Sequence, residues 1–258
     1  MSKLQFVSMY PSAVFLAAAL TAFGSTAEAQ ALAQAFRAEA LQTPAVAAGP
    51  LLVEGTKPSG EVIALLSGLA KIESDLQLGM LFLADGLTNP EGSHFGHPRA
   101  ETYPALKDAL ARAGIVDFEA QLVTLEAGGD SATVTTAYTE AIAAIMGARS
   151  VLRPSAQDML LSIVDQTRAV VGEINPEGPT ELANYQDAWA MLLVARNQLD
   201  LLVRGQDAAV AEAAMKMALV FDDIILSMPD PVASAPVAFD RAPLIEAIAA
   251  LEGFAGSV

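Results

Sequence analysis

The chain has no cysteine, only two histidines and a single tryptophan in 258 residues. Without cysteine the fold cannot use disulfides and must rely on packing. The same absence excludes thiolate metal sites, cysteine nucleophiles and haem attachment through a Cys pair. Basic residues are scarce too: 14 Lys and Arg stand against 30 Asp and Glu, a formal charge of −16. Such a surface repels nucleic acid and anionic lipid, and it attracts cations or basic partners, although solubility alone is the simpler account of the acidity. No run alternates polar and apolar residues as a half-buried strand does. Beyond the first thirty residues no apolar segment runs uninterrupted for the roughly 20 residues that span a bilayer; Asp187 and Arg196 interrupt the stretch around Trp189. A Gly-rich phosphate loop, a His-Glu-x-x-His pattern and a Gly-x-Ser-x-Gly elbow are all missing. A Ser-His-Asp arrangement would have to use His94 or His97, and nothing marks a serine partner.

The N-terminal region reads as a secretory signal peptide. Lys3 supplies the positive start, Ala13 to Leu20 the apolar centre, and Ala27-Glu28-Ala29 the small-x-small pattern for cleavage. This predicts a signal peptide over 1–29 and a mature chain over 30–258 that works in the periplasm; a retained N-terminal anchor is the alternative.

Helical periodicity governs the rest, with Ala, Leu and Met, all strong helix formers, dominating. The pattern predicts a short helix at 31–41, a Pro- and Gly-rich connection over 42–60, and a long helix over 61–85. In the long helix Val62, Leu65, Leu66, Leu69, Ile72, Leu76 and Gly79 recur at steps of three and four. Asn89-Pro90 marks a turn within 86–92, and Pro98 suits the first turn of the next helix, which Gly114 closes. Asp117 and Asp130 or Ser131 are candidate caps for helices over 118–127 and to about 148. Further helices are expected over 154–173, 180–204, 206–228 and 239–254. Short connections between helices imply antiparallel neighbours, so the expected fold is all-α: an antiparallel bundle of six to seven helices. The break near 149–154 divides it into possible sub-bundles 30–150 and 151–258.

Both histidines sit in Ser93-His94-Phe95-Gly96-His97-Pro98-Arg99-Ala100-Glu101-Thr102-Tyr103. His94, His97 and Glu101 stand at i, i+3 and i+7, which share one face if the helix is continuous. Two imidazoles and a carboxylate are the donor set favoured by iron, zinc and similar borderline metals. Pro98 places both histidines in the turn before the helix, where helical spacing does not fix their geometry. In the bland alternative, they only brace the loop and the helix start.

A second polar group, Tyr185-Gln186-Asp187, interrupts an apolar helix. Tyr185 and Asp187 can supply hydrogen bonds to a ligating histidine. The simpler reading makes Tyr185 a core residue with its hydroxyl satisfied and leaves Asp187 solvated. Asp222-Asp223 reads as a solvated edge, because adjacent helical residues face different directions. Met215 and Met217 read as core positions rather than a copper site.

At these segments the chain resembles a poorly characterised family of exported bacterial helical proteins that carry a His-x-x-His-Pro-x-x-Glu-x-Tyr motif. His94, His97, Pro98, Glu101 and Tyr103 match it. Asn184-Tyr185-Gln186-Asp187-Ala188 is similar to a segment in the periplasmic helical region attached to some iron permeases. More distantly, the architecture is similar to imelysin-type proteins of periplasmic iron uptake, although the imelysin Gly-x-His-x-x-Glu pattern is absent. The resemblance implies periplasmic placement and a link to metal handling. It also brings in Asp75, which stands where relatives often carry a histidine in the long helix and which suits a hard metal.

The expectation is therefore a periplasmic metal-binding or metal-uptake accessory protein, non-enzymatic in preference to enzymatic. It would hold one transition metal ion (iron, zinc or copper) through His94, His97, Glu101 and Asp75. Its partners would be that ion and a membrane or periplasmic protein. Nucleic acid is not an expected partner, nor is stable membrane insertion of the mature chain. The competing expectation is a structural or protein-interaction scaffold without metal.

Overall fold

A computed structural model describes residues 59–84, 94–229, 231 and 235–258. The expected signal peptide, the helix at 31–41 and the loop at 86–92 lie outside the described residues. The fold is all-α, as the periodicity predicts. The described residues hold eight α-helices, with one isolated backbone bridge and no strand. They are α1 (Gly60–Ala84), α2 (Tyr103–Arg112), α3 (Glu119–Ala127), α4 (Ser131–Leu152), α5 (Ala156–Glu173), α6 (Leu182–Val203), α7 (Ala208–Ser227) and α8 (Ala242–Ala255). A π-helical turn, Pro98–Thr102, leads directly into α2. With eight among the described residues, the number of helices exceeds the expected six to seven. No helix among the described residues is long and apolar enough to cross a membrane.

Side-chain caps from the N-cap residue set three of the helix starts. Asp130 accepts from the Thr133 N–H at 2.8 Å to begin α4, and Asp207 accepts from the Ala209 and Val210 N–H groups to begin α7. At α5 the cap is a reciprocal box in which Ser155 Oγ accepts from the Asp158 N–H and Asp158 Oδ2 accepts from the Ser155 N–H. Asp158 also accepts from the Ser59 N–H at 2.8 Å, so one buried carboxylate ties the start of α1 to the start of α5. Gly114 and Gly128, with φ of +75° and +70°, close α2 and α3 where a side chain would strain the backbone.

Packing then follows from which faces are apolar. Helix α4 buries one stripe, Val134, Ala137, Ala141, Ile145 and Ala148, against α1 and α3. Helix α6 is different: Tyr185, Ala188, Trp189, Leu192, Leu193, Ala195, Leu199 and Leu202 are buried on several sides. It packs against α1, α5 and α7, while α8 closes over α5 and α7. Each fully buried Leu there contributes roughly 1.5–3 kcal/mol.

The buried polar groups are mostly paired. Gln166 of α5 and Gln198 of α6 exchange amide hydrogen bonds of 3.1 and 3.2 Å. Arg196 donates to both oxygens of Asp222, at 2.6 and 3.0 Å, and lies 2.5 Å from Asp200. Asp222 is thus engaged with α6 rather than standing at a solvated edge. Met217 is buried, but Met215 is half exposed, so only one of the two methionines belongs to the core. Glu73 of α1 and Arg149 of α4 form a largely buried ion pair at 2.5 Å.

The first turn of α6 is held from outside. Tyr185 donates its hydroxyl proton to the Pro229 carbonyl, and Gln186 donates to the Pro231 carbonyl at 2.9 Å. Thr180 and Val237 exchange backbone hydrogen bonds of 2.7 and 2.9 Å just before that helix. These contacts fix where Asp187 stands.

Candidate metal centre

The histidine segment is not helical where it matters. His94 adopts φ +57°, the left-handed region, which costs a non-glycine residue about 1–2 kcal/mol. The turn is pinned by the buried Phe95 and by the His97 N–H, which donates to the His94 carbonyl at 3.3 Å. Pro98 then opens the π-helical turn, closed by the Tyr103 N–H donating to the Pro98 carbonyl. A π turn is a rare element that tends to occur at functional positions. Two unusual backbone features thus flank His97 on either side.

The result is a convergence of four side chains: Asp75 from α1, His94 and His97 from the turn, and Asp187 from α6. One donor atom from each lies within 4.8 Å of the others. His94 is buried, stacked on Phe82 with ring centres 5.3 Å apart and planes 18° apart. His97 meets it edge-on at 5.0 Å and 67°. Ring packing therefore sets the orientation of both imidazoles before any ligand arrives.

His94 Nδ1 lies 3.3 Å from Asp187 Oδ1, yet neither atom has an aligned hydrogen-bond partner. Asp75 Oδ2 is likewise without one, although the residue is only 3% exposed. Burial pushes the Asp75 carboxyl up to about 8; nearby Lys71 opposes this, and the charges of Asp187 and Glu101 reinforce it. Burial also raises Glu173 at the end of α5, again with Asp187 raising it and Lys71 lowering it.

Of the residues expected at the site, Asp75, His94 and His97 come together and Glu101 does not join them. Glu101 lies in the π turn with its side chain half exposed, and its carboxylate is 3.7 Å from Lys71 Nζ. The reason is the left-handed turn at His94: the three residues never share a continuous helix, so the i, i+3, i+7 spacing does not put them on one face. Tyr103 is also turned elsewhere, buried against Phe118 with its hydroxyl donating to Asp117 at 2.6 Å. That bond, more than any other contact, holds Asp117 below its ordinary range.

Asp187 takes the fourth position. Its signal in the sequence is the polar trio inside an apolar helix, where the simpler reading leaves Asp187 solvated and the alternative makes it a hydrogen-bonding partner to a ligating histidine. Its side chain is 26% exposed, against 7% for His94.

Two carboxylates and two imidazoles suit a transition ion of intermediate softness. In a tetrahedral site with bonds of about 2.0–2.1 Å, ligand atoms stand roughly 3.3 Å apart. Drawing atoms that lie within 4.8 Å of one another to that spacing needs side-chain adjustment of about 1 Å each, within rotamer reach. No protein-family model, curated protein or solved structure matches the chain.

Proposed function

We propose that this is an exported metal-binding accessory protein of the periplasm, which holds one transition metal ion through Asp75, His94, His97 and Asp187. The observation that carries the reading is a set of buried metal-donor atoms without aligned hydrogen bonds, gathered in one group with His97: Asp75 Oδ2, and His94 Nδ1 and Asp187 Oδ1, which face each other at 3.3 Å. Each such atom costs about 1–3 kcal/mol when left unsatisfied in a protein interior. A single cation at their centre satisfies all of them at once.

Other observations agree with this. The 30 acidic residues draw cations toward the protein, and the signal-peptide pattern over 1–29 directs it out of the cytoplasm. The absence of cysteine suits a site made of imidazole and carboxylate in an oxidising compartment. The donor set favours zinc or ferrous iron over a cuprous ion, which prefers sulfur.

The test is metal content by elemental analysis and affinity by calorimetry on the purified protein, beside His94→Ala/His97→Ala. One equivalent of metal in the parent, absent from the variant with helix content retained by circular dichroism, is the expected result. Equal metal uptake by the two proteins would refute the site. No metal in either would leave the histidines as braces of the loop in a structural scaffold.

A further inference from the structure

Resting on that reading, we propose that the Lys71 ammonium is the built-in counter-ion of the metal-free site, and that an entering cation takes over its role. Lys71 stands one helical turn before Asp75 on α1, a spacing that puts the two residues on one face. The two differ in depth: Asp75 is buried, whereas the Lys71 side chain is 42% exposed. The ammonium therefore lies on the solvent side of the group, 3.7 Å from Glu101 on the π turn.

Carboxylates from four elements converge electrostatically on Lys71 or on one another. Asp75 comes from α1, Glu101 from the π turn, Glu173 from the end of α5 and Asp187 from the second turn of α6. Helix α1 packs directly against the π turn, α5 and α6, which makes that convergence possible. Lys71 is the cation whose charge both Asp75 and Glu173 feel. Without it, Asp75 would feel the charges of Asp187 and Glu101, and Glu173 that of Asp187, without that offset, and like charges oppose ionisation.

A dication bound between Asp75 and Asp187 changes that balance. The carboxylates gain a stronger and nearer positive charge, and Lys71 becomes a like charge close to the metal. Lys71 then weakens metal binding and speeds release, as suits a protein that passes its cargo on. Glu101 draws the ammonium toward the π turn and limits the repulsion.

The experiment titrates cobalt(II), whose visible absorption reports its coordination, into the full chain and into Lys71→Gln and Lys71→Arg. The expected result is roughly tenfold tighter cobalt binding and slower dissociation for Lys71→Gln. Lys71→Arg should behave as the parent, and the cobalt spectrum should be the same in all three proteins. The affinity difference should shrink as salt is raised, because the charge removed is partly exposed. Unchanged or weaker cobalt binding by Lys71→Gln would overturn the counter-ion role while leaving the metal site intact. Failure of the parent protein to bind cobalt, or equal binding after Asp75→Asn/His97→Ala, would overturn the metal reading and this role with it.

Discussion

Replacing Asp75 with Asn separates the energetics of folding from those of metal binding. In the metal-free protein the Asp75 carboxyl is raised from 3.8 to about 8, chiefly by burial. The unfolded chain loses that proton near pH 4, whereas the folded one keeps it up to about pH 8. Between those values the folded state binds more protons than the unfolded state, so stability falls as pH rises. Below the unfolded value both states are protonated and the group contributes nothing. A shift of this size corresponds to a loss on the order of 5 kcal/mol across the whole window, or about 4 kcal/mol between pH 5 and pH 8. Asparagine has nothing to titrate. Urea unfolding of chelator-treated protein at the two pH values should therefore show the parent losing about 4 kcal/mol more than Asp75→Asn. Zinc at a hundred times its dissociation constant should restore about 2.7 kcal/mol to the parent at pH 8 and nothing to the variant. Parallel pH profiles for the two proteins, with no stabilisation by zinc, would refute the account of Asp75 as a buried carboxyl awaiting a cation.

Two other substitutions probe the ligand set and the core. Glu101→Gln should leave metal stoichiometry at one equivalent by elemental analysis, since Glu101 sits outside the group of four and pairs with Lys71; loss of the metal would restore Glu101 as a ligand. Leu192→Ala removes a fully buried side chain from α6 and should cost roughly 2–5 kcal/mol in urea unfolding, whereas a cost under about 1 kcal/mol would mean that α6 is not central to the core.

The fold class was legible because it depends on local patterns. Leu65, Leu69, Ile72 and Leu76 recur at helical steps and are all buried in α1, and Asp130 is the cap that its position before α4 implies. Pattern alone could not show that α6 is central: a helix apolar on several sides has no single stripe to orient it. The site was legible in part. That the two histidines cluster is plain from the sequence, but their geometry depends on the left-handed backbone at His94 and the π turn after it, neither of which residue spacing encodes. Hence Glu101, correctly spaced for a helix, points to Lys71 instead. Asp187 reaches His94 only through the packing of α6 against α1, a tertiary fact, although its polarity within an apolar helix marked it as unusual.

The reciprocal amide pair between Gln166 and Gln198 has a consequence for the group of Asp75, His94, His97 and Asp187. Helix surfaces rich in Ala and Leu are permissive: one can slide along another by a turn, about 5.4 Å, and still bury apolar area. Such a slip between α5 and α6 would strip both amides of their partners in the interior, a penalty of about 1–3 kcal/mol for each unsatisfied group. The two glutamines thus act as a register pin. Asp187 rides on the same helix as Gln198, so a one-turn slip would also carry its carboxylate beyond reach of His94. A pair of neutral side chains far along the bundle in this way keeps the Asp187 carboxylate beside His94.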